Sequence, residues 1–95
     1  MNLQQLINEE LSSNSNKLSP DFILDIFNQS KLSYTQLSPN TRVCLLTLPT
    51  GHEIVGIAQV LDAANDVEAI GNQVAMSNAT EQLWKLCGTI AKLKV

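Results

Sequence analysis

The chain is short of charge: 16% of its 95 residues are Asp, Glu, Lys or Arg, against about 25% in ordinary soluble domains. A sparse set of charges leaves neutral and apolar surface free for association with another protein or with itself. Basic residues are scarcer still. Arg42 and the lysines total six against nine acidic residues, for a net charge of −3. That balance argues against a broad phosphate-binding surface, and it is too weak a negative field to imitate nucleic acid. One histidine and two distant cysteines cannot close a zinc site within one chain. No apolar run reaches the ~20 residues of a membrane span. Met1 to Leu11 is polar and acidic rather than basic then apolar, as a secretory signal would be. The expectation is a soluble, intracellular protein with no membrane partner.

Chemistry-bearing motifs are also missing. No phosphate loop, dinucleotide fingerprint or nucleophile elbow occurs, so no cofactor and no catalytic residues are expected. His52 sits at a turn beside Glu53, where a solvent-exposed role fits better than general-base catalysis. Cys44 falls in an apolar strand and Cys87 in an apolar helix, which reads as two buried free thiols. Asp62, Asn65, Asp66 and Glu68 form the densest oxygen cluster. Their spacing is not that of a calcium loop, and helix capping explains them without a metal.

What is present is a regular alternation of elements. Leu3, Leu6, Ile7 and Leu11 have helical spacing, but a helix this short needs something to dock on. The polar stretch 12–16 then reads as a linker. Residues 1–16 are accordingly expected to be a short amphipathic helix with its linker, and residues 17–95 a single α+β domain. Ser19-Pro20-Asp21 is a helix start, with serine as cap, proline at the first position and an acid at the positive end. Leu18 and Ile23 are placed as a staple across it. The helix should end near Gln29 or Ser30.

Leu32 to Leu37 alternates as an edge strand, and Ser38-Pro39-Asn40 turns the chain. Thr41 to Leu48 and Glu53 to Leu61 are apolar on both faces, joined by a hairpin in which Gly51 supplies a positive φ. Strands without a polar face imply cover on both sides, from the N-terminal helix or from a second subunit. Asn65 and Glu68 are spaced as a capping box. The helix that follows carries a stripe through Val67, Gly71, Ala75, Ala79, Leu83, Leu86, Ile90 and Leu93. Its first half is small and faces Gly56 and Ala58, so helix and sheet should lie close. Asn78 and Glu81 repeat the capping spacing near Ser77, but one helix to about Leu86 is favoured, with a kink at Gly88.

The second half sets in order the strand Cys44 to Leu48, Gly51, Val55-Gly56, Asp62 and Asn65. Glu68 and Gly71, Ala75 and Ala79, Leu83-Trp84 and Gly88 follow. In these residues it resembles a family of short tailed-phage proteins found in N-four-type coliphages and Sf-six-type Shigella phages. His52 and Asp66 stand where that family tends to aromatics, and residues 1–40 carry no part of the likeness. The resemblance implies a phage origin and a compact α+β fold, but no activity; with the soluble, intracellular reading, the site of action expected is the host cell cytoplasm.

The fold expected is thus a small antiparallel sheet of about three strands on a long C-terminal helix, with one or two N-terminal helices. The function expected is a non-enzymatic phage accessory protein that binds a host or defence protein. The alternative is a self-associating structural or scaffolding protein, a homodimer whose doubly apolar strands meet across its axis. A weaker third is a nucleic-acid-binding module using Lys85, Lys92, Lys94 and Arg42. The candidate protein interface comprises Trp84, Met76, Leu3, Leu6 and Ile7. For Trp84 the favoured reading is packing over the sheet edge or under the helix from Pro20, with an interface anchor second, and the first helix could dock within its own domain.

Overall fold

Side-chain caps mark where the helices begin. The structure is a computed structural model that describes residues 2–14, 17–60 and 67–94. Helix α1 (Leu3–Ser13) starts at a reciprocal box. The Asn2 side chain accepts the Gln5 N–H at 2.8 Å, and the Gln5 side chain accepts the Asn2 N–H at 2.9 Å. Helix α2 (Pro20–Gln29) starts at Ser19, whose hydroxyl accepts the Phe22 N–H at 3.1 Å. It ends at Ser30, as the sequence indicates. The expected cap of the last helix at Asn65, with Asp62 and Asp66, lies outside the described residues.

Strands β1 (Lys31–Ser38), β2 (Thr41–Thr47) and β3 (Glu53–Gln59) form one antiparallel sheet in the order β1-β2-β3. The β2–β3 hairpin turns through Gly51 at φ +90°, a conformation that side chains resist. Helix α3 (Glu68–Lys94) follows as one continuous helix of 27 residues. It continues past Leu86 and through Gly88 without a break, because a helix-interior glycine keeps its ladder hydrogen bonds and costs only about 1 kcal/mol.

At about 1.5 Å per residue α3 is roughly 40 Å long, and it overshoots the sheet. Its N-terminal half lies on β2 and β3 through Gly71, Ala75 and Ala79, with Gly56 opposite. A methyl group at Gly56 would collide with the Ala75 carbonyl oxygen and the Ala79 backbone nitrogen, and would come within 2.8 Å of the Ala79 Cα. The small residues therefore set the distance between helix and sheet. Further along α3, Leu83 and Cys87 are fully buried, Leu86 and Ile90 are half-buried, and Leu93 is exposed. The buried line thus passes through Cys87, where the sequence stripe expects Leu86 and Leu93.

Both N-terminal helices pack against α3. Leu3, Ile7 and Leu11 of α1 and Ile23 and Ile26 of α2 enter the same core as Cys44, Leu46, Leu48, Ile54 and Ala58. Burying an aliphatic side chain of this size contributes about 1.5–3 kcal/mol, so α1 is a structural member of the core. All three helices lie on one side of the sheet. The opposite face carries Val43 and Leu45 of β2 and Val55 and Ile57 of β3, none of which joins the core. Among the described residues no helix is long and apolar enough to cross a membrane.

Candidate functional site

Helix periodicity divides α2 into two apolar edges. Ile23 and Ile26 point into the core, while Pro20, Leu24 and Phe27, three and four residues apart, line its outer flank. On α3 the same spacing puts Met76, Thr80 and Trp84 along the facing flank. Between them lies an open groove of about 540 Å³. Trp84 is 43% exposed and Leu24 55%. The Thr80 hydroxyl donates to the Met76 carbonyl at 2.9 Å, which satisfies it within the helix. The charge on the rim is the carboxylate of Asp21, in the first turn of α2.

The groove brings together two of the five residues singled out from the sequence, Trp84 and Met76. The other three are elsewhere: Ile7 is fully buried, Leu3 nearly so, and Leu6 half-buried. Sequence reasoning missed Leu24 and Phe27 as groove residues. The available signal was Leu24 itself, an apolar residue outside the Phe22, Ile23, Ile26, Phe27 stripe.

The reactive groups do not converge. Cys44 and Cys87 are free and buried. Burial pushes the Cys87 thiol up to about 11 and raises that of Cys44, which keeps both protonated and poorly nucleophilic at neutral pH. His52 is exposed on the hairpin, where it borders a shallow cleft with Thr50, Asn2, Gln4, Leu86 and Ile90. Among the described residues no group of three His, Cys, Asp or Glu side chains could hold a metal ion. The basic residues are spread apart. Arg42 borders a small polar pocket with Glu68 and Asn72 in the first turns of α3. Lys85 and Lys92 lie at least about 20 Å further along that helix, with Lys85 paired to Glu81 at 3.5 Å.

Residues 5–95 match the family described as Phage protein (N4 Gp49/phage Sf6 gene 66). The match reaches back through both N-terminal helices, and so corrects the reading that residues 1–40 stand outside the likeness. No curated protein and no solved structure matches the chain. With its sheet, its long C-terminal helix, α2 and all but the first two residues of α1 within the matched span, the chain belongs to this bacteriophage protein family.

Proposed function

We propose that this phage protein is a non-enzymatic accessory factor that binds a host or defence protein in the cytoplasm of the infected cell, using the groove between α2 and α3. The observation that carries this reading is Trp84, held 43% exposed beside Leu24 on the wall of an open apolar groove. Tryptophan dominates binding energy where it is partly pocketed and becomes fully desolvated by a partner. A groove between two helices fits an amphipathic segment whose apolar residues recur every three or four positions. Asp21 on the rim and the net charge of −3 favour a segment flanked by basic residues.

Trp84 is the sole tryptophan, so its fluorescence reports on the groove alone. Tagged protein is recovered from infected cells, alongside Trp84→Ala and Leu24→Asp variants. The expected result is one host protein in proportion to the bait, lost in both variants, and a blue shift of Trp84 emission when that protein is titrated in. Recovery of the bait alone, or of a partner indifferent to both substitutions, sinks the proposal.

A further inference from the structure

An antiparallel sheet with one face in water ordinarily shows polar residues on that face. Here the ends of β2 and β3 do, with Thr41, Thr47, Glu53 and Gln59, but their middle does not. Their register sets Val43 beside Ile57 and Leu45 beside Val55, forming an aliphatic patch on the face away from the helices. Val55 and Ile57 are 48% and 50% exposed. We propose that a second copy of the chain covers this face, in a twofold dimer whose two sheets stack. The inference is independent of the groove, which lies on the helical side.

Self-complementarity favours a copy as the occupant. A twofold axis crossing the strands at the level of Cys44 and Gly56 brings Val43 against the second copy's Leu45, and Ile57 against its Val55. Every aliphatic residue of the patch then meets another, as an isologous contact requires. The charges follow the same logic. Lys31, Thr47 and Glu53 form one row across the end of the sheet, and Thr41 and Gln59 form the row at the other end. The axis lays the charged row over the uncharged one, so no like charges meet and the ionic groups stay on the rim.

Sheets packed face to face hold their strands within about 30° of each other and form a layer about 10 Å thick.

Sedimentation equilibrium of the full chain tests the proposal. The wild type should sediment at twice its chain mass. Ile57→Lys should sediment at the single-chain mass with an unchanged far-ultraviolet spectrum and a cooperative melt. Should that variant not fold, Val55→Thr keeps the side-chain shape and should weaken dimerisation about tenfold, the scale of roughly 1.4 kcal/mol. Trp84→Ala should remain dimeric. A wild type that stays at the single-chain mass throughout the micromolar range overturns the proposal. So does a dimer that survives Ile57→Lys, which would move the interface to the exposed edge strand β1, or one abolished by Trp84→Ala, which would move it to the groove.

Discussion

Glu10 in the last turn of α1 accepts hydrogen bonds from Ser19, from its hydroxyl at 3.1 Å and its backbone N–H at 3.4 Å. The same hydroxyl accepts the Phe22 N–H and so starts α2. One serine joins two helices, and the acid that orients it comes from the first. Ser19→Ala should destabilise the fold by about 1 kcal/mol. In a urea-unfolding double-mutant cycle, the Glu10→Ala and Ser19→Ala losses should sum to more than the loss in the double variant. Strict additivity would show that Glu10 does nothing for the cap.

Two glycines in the same half of the chain should respond to alanine with opposite signs. At Gly56 the new methyl meets the backbone of α3 at Ala75 and Ala79, and the helix must move. Gly56→Ala should cost about 3 kcal/mol or more. At Gly88 nothing lies within 4 Å of the added carbon, so Gly88→Ala should gain about 0.5–1 kcal/mol from helix propensity alone. Melting temperatures of the two variants should move in opposite directions.

Because α1 belongs to the core, Ile7→Ala should cost about 2–5 kcal/mol while leaving α2 and its groove nominally untouched in sequence. Leu24→Ala, on the groove wall and 55% exposed, should change stability by less than about 0.5 kcal/mol. Chemical denaturation of the pair separates a residue that holds the fold from one free to serve a partner. Equal losses would mean that Leu24 is structural.

Stability should also fall in alkali for a stated reason. Burial raises the Cys87 thiol from its ordinary 9.0 to about 11. Below pH 9 both folded and unfolded chains hold this proton, so the group contributes no pH dependence. Between about pH 9 and 11 the unfolded chain loses it while the folded chain keeps it. The unfolded state then binds fewer protons, and stability drops by up to about 1.4 kcal/mol per pH unit for this thiol. The wild-type curve minus that of Cys87→Ala should show this decline, and a flat difference would refute it.

The elements were largely legible because each rests on local chemistry: Ser19 and Pro20 at a helix start, Gly51 in a turn, alternation in the strands. The close approach at Gly56 was legible too, since small residues faced small ones. The Asn2–Gln5 box was equally visible as a spacing, but the first helix drew notice only for its apolar stripe. What could not be seen was the side on which α1 and α2 would lie. Two-sided apolar strands invite cover on either face. The choice follows α3, on which α1 and α2 both pack and whose Leu83 and Cys87 share their core. For the same reason Trp84 stood out in the sequence and its counterparts Leu24 and Phe27 did not, because a groove between helices has no one-dimensional pattern.

The contact at Gly56 also limits how α3 can move. With backbone against backbone there is no layer of side chains to act as a lubricant, and rotation or sliding of the helix would drive Ala75 and Ala79 into the strand. The wall that carries Trp84 is then fixed in azimuth before any partner arrives. A partner would meet a rigid surface and would not have to bear the entropy of aligning that helix.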